Sequence, residues 1–291
     1  KKEATLSVVD KDIIALLYRD SAQLTLNPLG GGFSGARVFQ VQAKDALGHE
    51  QSPSVLKLGS RQLVGEERAA FERVESILGN SAPRVHGFAD LGEQAGLKYA
   101  YAAMGQGLVT TFKSLYENAK GTSQKKVNEI LDEVYGDILG RFYSAAHYER
   151  LNLFDYYTFN SRYSAGVRKR VGNIVGINEA QKPEIEVRPG VVVQNVADFY
   201  GTTLDTLPRY LGESHFVSYV HGDLNGANIL VDSHDNVWLI DFFHAHRGHL
   251  LRDLAKLEND LLYIFTKLQS VDELDEAIQM TRALLQVKDL R

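Results

Sequence analysis

The residues best suited to chemistry lie together in 221–243, HGDLNGANILVDSHDNVWLIDFF. Asp223 stands five positions before Asn228, and Asp241 follows Asn228 by thirteen. The spacing predicts a loop that holds one carboxylate toward an incoming hydroxyl. Behind it, Leu230 to Ile240 predicts a tight hairpin turning at His234-Asp235-Asn236, residue types that tolerate left-handed backbone. Asn228 and Asp241 would then converge on a metal from the two ends of that hairpin. Oxygen ligands of this kind suit a hard cation such as Mg²⁺, which keeps several waters and takes its remaining ligands from substrate phosphates. The chemistry implied is phosphoryl transfer.

This segment resembles the catalytic loop and metal-binding Asp of the protein-kinase-like fold, in the form found in the aminoglycoside phosphotransferase and choline kinase family. Five residue types (His221, Asp223, Asn228, Asp241, Phe242) at fixed spacing arise by chance in such a chain on the order of 10⁻⁴, so coincidence explains them poorly. The resemblance implies a second half to the site: a glycine-rich loop between two strands, then a lysine on a strand. Gly30-Gly31-Gly32-Phe33-Ser34-Gly35 and Lys57 stand in that order. Glycines let the backbone approach phosphates, and the amides of such a turn point at the anion. Lys57 has apolar neighbours on both sides, where an ammonium needs an anionic partner. In the family the partner is a Glu on the following helix, and Glu66, Glu67 and Glu72 are all available. Glu67 lies four residues before Phe71 and seven before Val74, on the apolar face, and is the expected partner. The strand Leu97 to Met104 resembles the hinge between lobes, with backbone near Ala102 to Met104 facing an adenine ring.

The chain departs from protein kinases at informative places. Gly222 replaces the Arg that pairs with a phosphorylated activation loop, and Asn225 replaces the Lys two residues after the catalytic Asp. Only twelve steps separate Asp241 from Asp253-Leu254-Ala255, too few for a long activation segment. Asp253 is expected to be structural, as a helix N-cap. His221 is read as a hydrogen-bonding residue of the loop rather than a base. The spacing of His244, His246 and His249 fits no zinc pattern. Arg168-Lys169-Arg170 is read as a solvated helix face rather than a nucleic-acid contact, and Glu258 and Asp260 as a solvated face as well.

The elements that must position these residues follow from periodicity. A short helix is predicted within Val8 to Gln23 behind Asp10 as N-cap, then strands at Leu24–Leu29, Ala36–Ala43 and Ser54–Leu58. A helix over Arg61–Leu78 and strands at Arg84–Ala89 and Leu97–Met104 complete a small antiparallel sheet with one internal helix. Helical spacing dominates afterwards: Val127–Tyr148, a helix near Val196–Thr206, Arg252–Leu268 and Val271–Val287, with a short strand at Gly190–Val193. The expected fold is α+β and two-lobed: a nucleotide-binding lobe over 1–104 and a mainly helical catalytic and acceptor-binding lobe over 105–291.

Composition sets the outer limits. The 291 residues are 44% hydrophobic and 24% charged, which excludes a disordered or fibrous chain. The absence of cysteine removes disulfides, thiolate metal sites and cysteine nucleophiles, and fits the expected cytoplasmic location. No apolar run is long enough for a membrane span. A net charge of −5 argues against a general nucleic-acid binder. The chain opens at Lys1 without an initiator Met, which raises the expectation of further domains in a longer protein.

The leading expectation is Mg²⁺-dependent transfer of the ATP γ-phosphoryl group to a hydroxyl of a small molecule, with ATP and Mg²⁺ as cofactors. Asp223 would be catalytic, Asn228 and Asp241 would hold the metal, and Lys57, fixed by Glu67, would meet the phosphates under Gly30 to Gly35. Two alternatives stay open: a nucleotide-sensing or regulatory kinase-like domain of a larger bacterial signalling or defence protein, and a protein kinase.

Overall fold

The computed structural model describes residues 6–29, 36–78, 84–100, 109–118, 123–207 and 213–287. The expected phosphate-covering residues Gly30, Gly31, Gly32, Phe33, Ser34 and Gly35, and the expected hinge residues Ala102 and Met104, lie outside them. By contact the chain forms two units, Lys1–Ala146 with Ser218–Arg291, and His147–Val217.

The first unit begins with helix α1 (Val8–Leu17). Its N-cap is Ser7 rather than Asp10: Asp10 N–H donates to Ser7 Oγ at 3.1 Å while Ser7 N–H donates to the Asp10 carboxylate at 2.7 Å. The Asp sits three residues into the helix and closes a reciprocal capping box, so its carboxylate meets the orphan N–H of the cap residue rather than occupying the cap itself. Five antiparallel strands follow, β1 (Gln23–Leu29), β2 (Arg37–Lys44), β3 (Ser54–Ser60), β4 (Arg84–Leu91) and β5 (Gln94–Ala100), in the order β1-β2-β3-β5-β4. Helix α2 (Arg61–Leu78) leaves β3 directly. Pro28, which has no N–H to give a ladder, lies on edge strand β1.

The sheet's two faces have different partners because side chains alternate along each strand. Leu56 and Leu58 of β3 join Ile13, Ile14 and Tyr18 of the first helical segment, with Phe39 and Val41. Gly96 is required there, since a Cβ on it would lie 2.6 Å from Ile13 Cγ2. Val55, Leu97 and Tyr99 point the other way, into a core with Phe71 and Val74 of α2. That core continues through Phe112, Ile130, Phe142, Leu230 and Phe242.

Beyond the sheet come β6 (Thr110–Thr111), α3 (Phe112–Glu117), α4 (Ser123–Asp132) and α5 (Gly140–Ser144). The single helix expected over Val127–Tyr148 is interrupted by a π turn over Glu133–Ile138, in which Leu139 N–H donates to Val134 O at 2.9 Å. Gly136 and Gly140 give this stretch little helical preference of its own. The chain then turns extended instead of continuing as helix.

The second unit starts with that extended segment, β7 (His147–Arg150), and includes α6 (Leu153–Tyr156), α7 (Ser164–Val175), the hairpin β8 (Glu184–Arg188) and β9 (Val191–Gln194), and α8 (Val196–Asp198). Strand β10 (Ser214–Val220) pairs back on β7, with Ser214 opposite Arg150 and Val217 opposite His147. Phe199–Thr206, expected as ordinary helix, is wound as π and 3₁₀ turns.

The chain returns to the first unit with β11 (Ile229–Val231), β12 (Val237–Leu239), β13 (His246–His249), α9 (Arg252–Asn259) and α10 (Val271–Leu285). The expected hairpin is β11 and β12, with Leu230 opposite Trp238. Its turn is tied by Asp232, whose Oδ1 accepts from His234 N–H at 2.8 Å and Asn236 N–H at 3.0 Å, and Asp235 takes the left-handed backbone at φ 67°. The architecture is α+β, an antiparallel sheet joined to a mainly helical remainder, as expected. No helix among the described residues is long and apolar enough to cross a membrane.

Candidate active site

All described candidate residues belong to the first unit. Lys57 lies on β3 two residues after Val55, so the alternation that sends Val55 toward α2 sends Lys57 there too. Its Nζ is 2.5 Å from Glu67 Oε2 and 2.8 Å from Asp241 Oδ1. Glu67 is fully buried on α2, one turn before Phe71. Its other oxygen, Oε1, accepts from the Tyr99 hydroxyl at 2.6 Å. Glu66 and Glu72, the competing candidates, are engaged along α2 instead, by Gln62 at 3.0 Å and Arg68 at 2.8 Å. Burial pulls the Lys57 pKa down, but the carboxylates of Glu67 and Asp241 overcome that and raise it above the ordinary lysine value. Glu67 is pushed above the usual carboxylate range, by burial first and by Asp241 as well, against the pull of Lys57 and Tyr99. Removing one partner of such a buried pair costs about 3–5 kcal/mol, because it strands the other charge.

Asp241 follows β12 with left-handed backbone, φ 65° and ψ 58°. That conformation is uncommon for a residue with a Cβ and marks a constrained position. The next residue, Phe242, is fully buried, with its ring centroid 5.5 Å from that of Phe71 and 4.8 Å from that of His221.

The loop 221–228 is held from behind. His221 is fully buried, and its Nε2 donates to Ile240 O at 2.9 Å, as the structural reading of that histidine expects. The Asp253 carboxylate accepts from His221 N–H at 2.7 Å and Gly222 N–H at 2.9 Å. Asp253 is therefore structural but does not cap α9; the cap position is Leu251, and Asp253 lies in the first turn, reaching out to the loop. Arg252 Nε donates to Gly222 O at 2.9 Å, so two consecutive residues of α9 clamp one peptide stretch. Gly222 itself has φ +85°, and a Cβ there would lie 2.1 Å from His244 O. An Arg could not stand at this position.

Asp223 and Asn228 complete the set. Asn228 is buried, and its Nδ2 donates to Asp223 O at 3.0 Å, which leaves its amide oxygen as the acceptor. Ile240 N–H donates to Asn228 O at 3.0 Å, tying the loop to the strand that leads to Asp241. The Asp223 side chain is 38% exposed, with Asn225 Nδ2 at 3.3 Å and Lys256 Nζ at 3.8 Å. The structure thus joins Lys57, Glu67 and Asp241 directly, and links Asp223 to Asn228 through the loop.

Sequence reading did not single out Tyr99, Arg252 or Lys256. Tyr99 carried a signal in its i+2 relation to Leu97, and Arg252, Asp253, Lys256 and Asp260 share one face of a helix. Elsewhere, Arg168 Nη1 donates to Ala180 O at 2.7 Å, and His246 Nδ1 donates to His244 O at 2.7 Å. Among the described residues, no group of three or more His, Cys, Asp or Glu side chains is placed to hold a metal.

Comparison with solved structures gives likenesses to an aminoglycoside-3'-phosphotransferase of type VIII, with 15% identity over 98% of this chain and 95% of that one and a TM-score of 0.49. An aminoglycoside phosphotransferase from Streptomyces rimosus gives 18% identity over 96% and 91%, with a TM-score of 0.47. A choline kinase from Streptococcus pneumoniae gives 12% identity over 92% and 77%, with a TM-score of 0.38. No curated protein matches the sequence significantly. The family model described as Ternary complex associated domain 9 matches residues 21–181 and 177–291, nearly the whole sequence, and the chain belongs to that family.

Proposed function

We propose that the protein is a phosphotransferase that moves the γ-phosphoryl group of ATP to a hydroxyl of a small molecule, in the presence of Mg²⁺. The observation that carries this reading is the meeting of Lys57, Glu67 and Asp241, residues 184 positions apart in sequence, at 2.5 Å and 2.8 Å. A structural core has no use for a buried ammonium between two carboxylates, whose desolvation is costly. A phosphate site has one.

The donor set fits a magnesium ion. Lys57 engages Asp241 through Oδ1, and Asn228 commits its amide N–H rather than its oxygen, so one carboxylate oxygen and one amide oxygen are left for a hard cation. When bound, the ion would neutralise phosphate charge and bridge the nucleotide to the protein. The chain's own residues do the rest in this reading. Lys57, oriented by Glu67, contacts the phosphates; Gly30 to Gly35 cover them; Ala102 to Met104 offer backbone to the base. Asp223 accepts the proton of the acceptor hydroxyl. The lobes 1–104 and 105–291 are proposed to be the nucleotide-binding and acceptor-binding halves, in a cytoplasmic protein.

The test is calorimetric titration of ATP with and without Mg²⁺, followed by ATP consumption against panels of hydroxylated small molecules. Tight binding only with Mg²⁺ supports the reading, and equal affinity in both conditions removes the metal assignment. A second reading is favoured by the family description, which names an association within a ternary complex: a nucleotide-sensing domain of a larger assembly. It predicts Mg·ATP binding without turnover of any acceptor.

A further inference from the structure

Lys256 of α9 places its ammonium 3.1 Å from Asp260 Oδ1 and 3.8 Å from Asp223 Oδ1. The two carboxylates differ in kind. Asp260, expected on a solvated face, is instead buried, and it stands four residues on, where α9 passes into a π turn over Asp260–Ile264, as a tether. Asp223 is open to solvent, and the contact to it is longer than a hydrogen bond. The Lys256 side chain is 36% exposed, and its one hydrogen bond among these contacts goes to Asp260, so its ammonium has donors left for an incoming anion.

The proposed reaction brings an anionic phosphoryl group up to this carboxylate. Asp223 takes the proton of the acceptor hydroxyl, the acceptor oxygen bonds to the γ-phosphorus, and the bond from that phosphorus to the bridging oxygen breaks. ADP departs with the electron pair, and the proton passes from Asp223 to solvent. Negative charge on the phosphoryl oxygens must pass beside the Asp223 carboxylate, which repels it. Lys57 is already shared between Glu67 and Asp241. Asn225, two residues after Asp223, is uncharged, and its amide is tied to Asp223 O at 3.2 Å.

We infer that Lys256 is a catalytic residue of the phosphoryl transfer: its ammonium, tethered by Asp260, swings from Asp223 to the transferring phosphoryl oxygens and screens them from the carboxylate. The cation comes from α9, the helix that also clamps the loop through Arg252 and Asp253. The inference rests on the phosphotransferase reading, and its test separates the two.

Calorimetry compares wild type, Lys256→Met and Lys256→Arg for Mg·ADP alone and for Mg·ADP with aluminium fluoride, a mimic of the phosphoryl group in transfer. Lys256→Met is expected to bind Mg·ADP within about three-fold of wild type while losing about 10- to 100-fold toward the fluoride complex, with ATP consumption reduced by about 10². Lys256→Arg, or Asn225→Lys added to Lys256→Met, is expected to recover at least part of both losses by restoring the charge. Should Lys256→Met melt well below wild type, Lys256→Gln is read in its place. Unchanged fluoride-complex affinity in a folded variant overturns the role of Lys256 and leaves the phosphotransferase reading standing. Failure of the wild type to bind Mg·ADP overturns both.

Discussion

The rings of Phe71 and Phe242 meet edge-on, 5.5 Å apart at an interplanar angle of 62°. Each is the apolar neighbour of a charged site residue: Phe71 lies one turn after Glu67 on α2, and Phe242 directly follows Asp241. One apolar contact thus lies directly beside the two carboxylates that share Lys57. Both rings are fully buried, while the Lys57 ammonium between the carboxylates offsets their repulsion.

Phe242→Ala should therefore do two things at once. Loss of a fully buried ring costs about 3–5 kcal/mol. Because Asp241 loses its anchor, Mg·ATP affinity should fall as well, whereas Phe242→Leu, which refills part of the space, should lose less of both. Denaturant midpoints and calorimetry on the two variants decide it. A variant that is destabilised yet binds Mg·ATP like wild type would show that the ring does not position Asp241.

Gly222 and Asp253 form a second coupled pair. A Cβ at Gly222 would collide with the backbone oxygen of His244 at 2.1 Å, and φ +85° is unfavourable for any side chain. Gly222→Ala is expected to lose at least about 1–3 kcal/mol. Asp253→Asn leaves one of two buried N–H groups without an acceptor, at a cost of about 1–3 kcal/mol. Urea midpoints measure both, and a neutral Asp253→Asn would mean that the loop does not depend on this carboxylate.

How far the site was legible depended on whether its contacts were local. The hairpin between Asn228 and Asp241 was readable because its turn is written in adjacent residues, and Glu67 was separable from Glu66 and Glu72 because helical period ties it to Phe71 and Val74. The β7–β10 pairing was not readable, since Ser214–Val217 and His147–Arg150 are far apart and carry no periodic mark. The break in the helix after Asp132 was missed because the apolar stripe runs through it: a π turn shifts the hydrogen bonds without removing Val134 or Ile138 from the core. Sequence position marks Asp253 as structural but suggests a cap, because its actual partners lie more than thirty residues back in the loop.

Asp10 gives a prediction in pH. Its burial opposes ionisation, but the Arg37 guanidinium at 2.6 Å and the Ser7 hydroxyl and amide more than compensate, and its pKa is lowered. A carboxylate whose pKa falls on folding contributes stability in full above its unfolded value of about 3.9, and that contribution disappears as pH drops through the lowered folded value. Asp10→Asn should be less stable than wild type at pH 7 by about 1–2 kcal/mol, with the difference shrinking below about pH 4. Thermal midpoints at pH 7 and pH 3 test this. A gap that is constant across the two would remove the Asp10 carboxylate as its source.

Asp223→Asn and Asp241→Asn each remove one carboxylate charge with little change of shape, and they should fail differently. Asp223 touches neither Lys57 nor Glu67 in the described contacts; its carboxylate lies with Asn225 and Lys256 on the open side of the loop. Its amide variant should keep Mg·ATP affinity within a few fold while turnover drops by about 10² to 10⁴, the usual contribution of a positioned base. Asp241 shares the Lys57 ammonium and is the carboxylate proposed to meet the metal, so its amide variant should lose Mg·ATP affinity and turnover together. Calorimetry and single-turnover ATP consumption, with water as acceptor until a better one is found, measure both. If Asp223→Asn abolishes nucleotide binding while Asp241→Asn leaves it intact, the two roles are wrongly assigned and the phosphotransferase reading of residues 221–243 fails.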